Sequence, residues 1–226
     1  MYEKLPEELK KDGRFCLWKY EERNGRITKV PYQINGKKAS SADKNTFSDF
    51  RMAVNAMADY DGIGMGAFDD FCMVDIDHCV CGGKLTRMAE VIIEKMDSYT
   101  EISPSGTGVR IVCKASSLSY DKGRYYINNS KIGLEIYAAG VTKKFCTLTG
   151  NAIRNCGVEE RSDQLGIILE TYMLRSIPKE KDREQDIPGS YLSDGSVVRL
   201  ASDSRQGRKF KSLWNGEIPE GKSHSD

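Results

Sequence analysis

The hydrophobic segment Phe71-Cys72-Met73-Val74-Asp75-Ile76-Asp77 predicts a β-strand that carries two aspartates at its end. Side chains two residues apart in a strand point to the same face, so Asp75 and Asp77 project together while Val74 and Ile76 point into the core. Two carboxylates on one rigid edge are hard oxygen ligands of the kind that magnesium and manganese favour. An isolated Asp-x-Asp is also a common solvated strand end, and the neighbouring motifs must decide between these interpretations.

The pattern of apolar residues around this strand predicts a mixed fold. The turn signal Asn24-Gly25 separates two strand-like stretches, which indicates a β-hairpin. Helical spacing predicts helices within residues 46–57, 85–96 and 161–175. Strand spacing predicts strands within residues 62–66, 99–102, 109–113, 132–137 and 145–149. We therefore predict an α+β fold with a mostly antiparallel sheet.

Composition divides the chain into three regions. Residues 1–175 carry the apolar periodicity and are predicted to form the main domain. The charged stretch at residues 176–190 has no apolar period and predicts a linker. Residues 191–226 have too few apolar residues for a core of their own and predict a partial helical accessory region, so we expect an excised piece of a longer protein.

Charge and hydropathy exclude some classes of protein. The net charge is 34 minus 33, or +1, so a polyanion must be met by a local basic patch. The tail offers one candidate patch for DNA, with scattered solvated cations as the alternative: Arg205, Arg208, Lys209 and Lys211. No apolar run approaches the length of a membrane span, about 18 residues, and the N-terminus does not resemble a signal peptide. We expect a cytoplasmic protein without a membrane partner.

A second motif is the loop Ser103-Pro104-Ser105-Gly106-Thr107-Gly108, which leads through Val109 to Arg110 in a predicted strand. Glycines permit a close backbone approach, and hydroxyl and amide groups can cradle phosphate oxygens. The loop is neither a P-loop, because no Gly-Lys-Ser/Thr follows, nor a dinucleotide fingerprint, because no helix follows. Taken alone, it is equally a tight hairpin loop.

The third motif is Glu135, which lies on a predicted strand between apolar neighbours and shares a face with Tyr137. Burial of an unpaired carboxylate is costly, so a role as third metal ligand is natural, and we expect Glu135 to converge with Asp75 and Asp77. Lys144 precedes the next predicted strand and could neutralise a triphosphate. In this order, the carboxylate pair, the hydroxyl-glycine loop, the acid and the base are far more specific than any one of them.

The order of motifs resembles the archaeo-eukaryotic primase-polymerase superfamily, especially the enzymes of phages and plasmids. Three segments carry the resemblance, and they are Val74-Asp75-Ile76-Asp77, Ser105-Gly106-Thr107-Gly108 and Leu134-Glu135. The resemblance implies an RNA-recognition-like catalytic sheet that faces a small N-terminal α/β unit, with a short C-terminal helical appendage. Residues 1–175 would be the primase-polymerase catalytic domain, with the active site between its two parts.

The resemblance also implies roles for individual residues. Asp75, Asp77 and Glu135 would be catalytic and would bind two Mg²⁺ or Mn²⁺ ions. The nucleotide would be bound by Ser103, Ser105, Gly106, Thr107, Arg110 and Lys144. Arg110 is a departure, because much of the superfamily has histidine there; arginine can hold phosphate oxygens but cannot act as a general base near neutral pH.

The activity implied by the resemblance is DNA-templated nucleotide addition, with primer synthesis in some members. Its partners would be a single-stranded DNA template, a primer and nucleoside triphosphates, with a helicase in the same longer polypeptide as a further expectation. Its setting would be a bacterial host cell, with a phage or mobile element as the source. Two rivals stay open: a metal-dependent nucleotide-sugar transferase, and a catalytically degenerate module that only binds single-stranded DNA.

Overall fold

The computed structural model describes residues 2–175 and 194–216. The chain divides into two compact units, Met1–Ser176 and Ile177–Asp226. The predicted linker at residues 176–190 lies outside the described residues. The strands are β1 (Phe15–Arg23), β2 (Arg26–Tyr32), β3 (Gly62–Gly66), β4 (Phe71–Ile76), β5 (Val80–Cys81), β6 (Lys84–Leu85), β7 (Thr100–Ile102), β8 (Val109–Lys114), β9 (Asn128–Asn129), β10 (Leu134–Tyr137), β11 (Phe145–Thr147) and β12 (Ala152–Arg154). The α-helices are α1 (Glu7–Asp12), α2 (Phe50–Asn55), α3 (Arg87–Met96), α4 (Ser162–Tyr172), α5 (Asp194–Asp203) and α6 (Gly207–Trp214).

Two sheets frame the first unit. The first has the strand order β11-β3-β1-β2 and the second has the order β12-β7-β8-β4-β10-β9, while β5 and β6 form a separate small hairpin. All ladders between these described strands are antiparallel. The predicted α+β class with mostly antiparallel strands is confirmed, and the RNA-recognition-like character of the catalytic sheet stays a prediction.

The predicted hairpin between β1 and β2 is confirmed. Asn24 and Gly25 adopt φ angles of 53° and 73°, the left-handed values that a tight type I′ turn needs. The register pairs Tyr20 with Lys29, so their side chains lie on the same face of the sheet. The strand β2 forms one edge of the first sheet.

The chain changes sheets between β3 and β4. Strand β3 pairs with β1 and β11, whereas β4 pairs with β8 and β10. The two sheets share one hydrophobic core, to which the first sheet contributes Leu17 and Ile63 and the second contributes Met73 and Val112. Consecutive extended segments in the sequence therefore form opposite walls of this core.

Strand β4 is buried on both of its faces. Val74 and Ile76 pack in a second core with side chains of α3 and α4, as predicted. On the opposite face, Phe71 and Met73 pack in the core between the sheets. Asp75 follows them on that face, so it emerges where apolar packing ends.

The predicted helices are present with shorter bounds. Helix α3 begins after Thr86, whose hydroxyl accepts a hydrogen bond from the Ala89 amide at 3.4 Å. Helix α2 begins after Asp49, whose carboxylate accepts from the Met52 amide at 2.8 Å. None of the described helices is both long and apolar enough to cross a lipid bilayer.

The second unit contains α5 and α6. Residues of α5 are exposed or half-buried, and the aromatic rings of Phe210 and Trp214 stack along α6 with centroids 5.6 Å apart. These helices agree with the helical character predicted for the tail.

Candidate active site

A pocket of about 650 Å³ opens between the two sheets of the first unit. Strands β1, β2 and β11 line it from the first sheet, and strands β4, β8 and β10 line it from the second. Six charged side chains are among its lining residues: Lys29, Asp75, Asp77, Arg110, Glu135 and Lys144. All three predicted metal-binding carboxylates therefore share one pocket.

Strand register places the acids next to each other. Asp75 on β4 is directly opposite Arg110 on β8 and directly opposite Glu135 on β10. Residues opposite each other in antiparallel strands project to the same face. Asp77 follows the end of β4, where its amide donates a 2.8 Å hydrogen bond to the carbonyl of Gly133. The constellation therefore depends on the pairing of three adjacent strands.

Asp75 is held by two protein groups. Arg110 Nε donates to its Oδ1 at 3.3 Å, and the Tyr137 hydroxyl donates to its Oδ2 at 3.3 Å. The side chains of Arg110 and Asp75 are only 5% and 8% exposed, and Arg110 also donates to both oxygens of Thr147. The guanidinium of Arg110 thus orients Asp75, and its predicted contact with phosphate stays a prediction.

Glu135 has its own pair of partners. Its Oε1 accepts a hydrogen bond from Asn128 Nδ2, and its Oε2 lies 3.8 Å from Lys144 Nζ. Lys144 Nζ also lies 5.8 Å from the centroid of the Tyr137 ring. The structure therefore places Lys144 beside the carboxylates, and its role towards a triphosphate stays a prediction.

Two acidic residues of the pocket, Asp77 and Glu135, have raised pKa values, which a bound cation would lower. Burial raises the pKa of Asp77, and the neighbouring charge of Asp75 raises it further. Burial also raises the pKa of Glu135, while Lys144 opposes this change. A cation bound among these carboxylates would favour their ionised forms.

The donor chemistry fits a hard divalent cation, since the pocket offers carboxylate oxygens from three adjacent positions. Within residues 2–175 and 194–216, however, no three His, Cys, Asp or Glu side chains are grouped so as to hold a metal ion. Asp75 is turned towards Arg110 and Tyr137, and Glu135 towards Asn128 and Lys144. Asp75, Asp77 and Glu135 share a pocket without forming such a group, so their convergence on a metal and the two-ion site stay predictions.

The hydroxyl-glycine loop joins β7 to β8 as a tight hairpin loop. Gly106 has a φ of 75°, and Ser103 Oγ accepts from the Gly108 amide at 3.1 Å. Of the predicted nucleotide-binding residues, Arg110 and Lys144 line the acidic pocket. The other four are not among the described residues that line it: Ser103, Ser105, Gly106 and Thr107. Ser103 and Gly106 instead line a second cavity, so their predicted role has no support from this pocket.

Three pocket residues were missed by the sequence analysis. Lys29 lines the pocket from β2, and the Tyr137 hydroxyl donates a hydrogen bond to Asp75. The carbonyl of Thr147 accepts a hydrogen bond from Arg110. Burial lowers the pKa of Lys29, and the positive charge of Arg110 lowers it further. The negative charges of Asp75 and Asp77 act in the opposite direction. The shared face of Glu135 and Tyr137 was a usable signal for Tyr137, but periodicity does not reveal which sheet lies opposite Lys29.

The predicted DNA-binding residues belong to the second unit. Arg205 lies between α5 and α6, and the other three lie on α6; all four are exposed: Arg205, Arg208, Lys209 and Lys211. Their exposure leaves them accessible to a polyanion, and contact with DNA stays a prediction.

By its fold and its pocket, the first unit is an α+β protein in which two antiparallel sheets border a cluster of carboxylates flanked by basic side chains. No family model matches the chain. Over 149 residues, or 63% of the chain, the sequence is 33% identical to the DNA primase-polymerase of Nitratiruptor phage NrS-1. The chain spans about 20% of the length of that relative. This similarity supports the resemblance to primase-polymerases, while the assignment to the archaeo-eukaryotic superfamily stays a prediction.

Proposed function

We propose that the first unit is the catalytic region of a template-dependent nucleotidyltransferase, a DNA primase-polymerase of the archaeo-eukaryotic superfamily. It adds nucleotides from nucleoside triphosphates on single-stranded DNA, both by extending a primer and by starting one. One observation carries the proposal: the carboxylates of Asp75, Asp77 and Glu135 line a single pocket with basic side chains beside them. The similarity to the phage enzyme supports the same class of reaction.

The proposed reaction is attack by a 3′-hydroxyl on the α-phosphate of a nucleoside triphosphate, with pyrophosphate as the leaving group. Two Mg²⁺ or Mn²⁺ ions, bound by Asp75, Asp77 and Glu135, would supply Lewis-acid activation of the hydroxyl and neutralisation of phosphate charge. Arg110 and Tyr137 keep the Asp75 carboxylate in one orientation. Lys144, beside Glu135, offsets negative charge on the triphosphate.

Of the rival activities, the nucleotide-sugar transferase is not favoured. Such an enzyme would be expected to place its Asp-x-Asp at the end of a parallel βαβ series. The ladders between the described strands are instead antiparallel, and Asp75 lies on a strand with antiparallel neighbours on both sides. The rival that only binds single-stranded DNA is separated from the proposal by experiment.

The proposal is tested by incorporation of labelled nucleotides on single-stranded DNA, with and without a primer, in magnesium and in manganese. Asp77→Asn and Glu135→Gln should each lower incorporation by more than the roughly 10- to 100-fold that loss of an outer-shell partner of a metal ligand causes, because each replaces a charged carboxylate by a neutral amide. Asp70→Asn is the matched control, since Asp70 is an exposed acid just before β4, at the opposite end of the strand from the pocket. Unchanged unfolding midpoints establish that the variants are folded.

Wild-type incorporation by Asp77→Asn and Glu135→Gln would refute the assignment of the site. Binding of single-stranded DNA by the wild-type chain without any incorporation would replace the proposal with the DNA-binding module. The biological setting that we propose, replication of a phage or mobile element in the cytoplasm of a bacterial cell, follows the phage source of the similar enzyme.

A further inference from the structure

Lys29 differs from the other basic residues of the acidic pocket. Arg110 is paired with Asp75 at 3.3 Å, and Lys144 lies 3.8 Å from Glu135. Within the part of the chain that the structure describes, no ion pair or hydrogen bond involves Lys29 Nζ. Its Nζ lies 5.8 Å from the centroid of the Trp18 ring.

Strand pairing places Lys29 on the pocket side of the first sheet. It lies on β2 opposite Tyr20, and both residues line the pocket on the first-sheet side. The side chain is half-buried, and Trp18 packs beneath it at only 3% exposure. The ammonium group is therefore held on the wall that faces the carboxylates of the second sheet.

Partial burial removes water molecules that would otherwise solvate the ammonium group. No acidic side chain of the described residues is bonded to the ammonium group in their place, so it has unused capacity to donate hydrogen bonds to an anion. An anion of the substrate can supply the missing oxygen acceptors. We propose that Lys29 binds phosphate oxygens of the substrate on the first-sheet side of the acidic pocket. This inference rests on the proposed function, and it adds a phosphate ligand from the opposite wall to the groups on β4, β8 and β10.

Phosphate oxygens can come from a nucleoside triphosphate or from the backbone of DNA, and binding measurements separate the two sources. The full chain is titrated by calorimetry with thymidine triphosphate, and separately with single-stranded oligodeoxythymidine, in magnesium and without a primer. Lys29→Met removes the charge and retains an apolar stem over Trp18. Lys29→Gln is a second neutral variant, and Lys29→Arg restores the charge.

Lys19→Met is the matched control. Lys19 is on the same hairpin, but the alternation of side chains places it on the opposite face, where its Nζ lies 4.7 Å from the Tyr60 ring centroid. This variant loses the same formal charge without changing the pocket wall. Unfolding midpoints are measured for all variants.

We expect both neutral variants of Lys29 to weaken binding by about tenfold, the scale of one charge-assisted hydrogen bond, while Lys29→Arg and Lys19→Met bind as the wild type does. A loss confined to thymidine triphosphate identifies the triphosphate as the source, and a loss confined to the oligonucleotide identifies the backbone. Unchanged affinity of the neutral variants for both ligands, or an equal loss in Lys19→Met, would overturn the inference alone. A wild-type chain that binds neither ligand would overturn the proposed function as well.

Discussion

Replacement of Arg110 by methionine should destabilise the first unit, even though the predicted role of Arg110 concerns substrate. The side chains of Arg110 and Asp75 are 5% and 8% exposed and are joined at 3.3 Å. Methionine is apolar and shorter than arginine, so the change removes the charge together with the hydrogen bonds that Arg110 donates to Asp75 and Thr147. It leaves the Asp75 carboxylate buried with the Tyr137 hydroxyl as its remaining donor.

The size of the effect follows from this geometry. Removal of one partner from a buried ion pair costs about 3–5 kcal/mol, because the other charge stays buried. Asp75 lines an open pocket and retains one hydrogen bond, so we expect the lower end, about 3 kcal/mol. For a domain of this size, that loss corresponds to a fall of about 6–12 °C in Tm.

Urea unfolding, followed by circular dichroism, measures the free energy directly. The control is Arg110→Met in an Asp75→Asn background, where position 75 no longer carries a charge and the cost should fall to about 1 kcal/mol. If Arg110→Met alone stays within about 1 kcal/mol of the wild type, or costs as much in the Asp75→Asn background, the pair does not support the fold.

Three further predictions concern residues that do not line the acidic pocket. Glu101 is fully buried, and its burial raises its pKa although Tyr99 and the amides of Thr149 and Gly150 donate to it. The contribution of Glu101 to the free energy of unfolding is therefore complete below the ordinary pKa of 4.5 and is lost as pH rises through the raised pKa. The urea midpoint of the wild type should fall over this range, and Glu101→Gln should make that fall smaller. The same pH profile in the wild type and in Glu101→Gln would contradict the prediction. Gly166→Ala should stabilise α4 by about 0.5–1 kcal/mol, because nothing lies near the added methyl group. Gly108→Ala should destabilise by about 1–3 kcal/mol, because its Cβ would lie 2.7 Å from the carbonyl of Ile76; equal unfolding midpoints for the two alanine variants would refute both.

Local signals in the sequence were sufficient for the longer strands and for α2, α3 and α4, but they did not reveal α1, β5, β6, β9 or β12. The dipeptide Asn24-Gly25 predicted a turn in which both residues have positive φ, and the structure has that turn. The alternation around Asp75 correctly assigned Val74 and Ile76 to a core. Such signals depend on residues within a few positions of each other, which is why one sequence contains them.

Long-range pairing was not available from the same patterns. The motif order grouped Asp75 with Glu135, but the register that puts Arg110 directly opposite Asp75 depends on how two distant strands align. Likewise, the hydroxyls of the loop at Ser103 were expected near phosphate, whereas hairpin geometry directs Ser103 towards a second cavity. Periodicity gives the face of each side chain and leaves open which element that face meets.

The two walls of the pocket should differ in how readily they open. Strand β4 lies inside the second sheet with a paired neighbour on each side, whereas β2 is an edge strand of the first sheet. Amide hydrogens of β4 should therefore exchange with deuterium only in global unfolding, whereas the outer half of the hairpin exchanges through local opening at lower free energy. Asp75 thus lies on the strand that we expect to exchange most slowly, whereas Lys29 lies on an edge strand that can open locally while β4 stays paired.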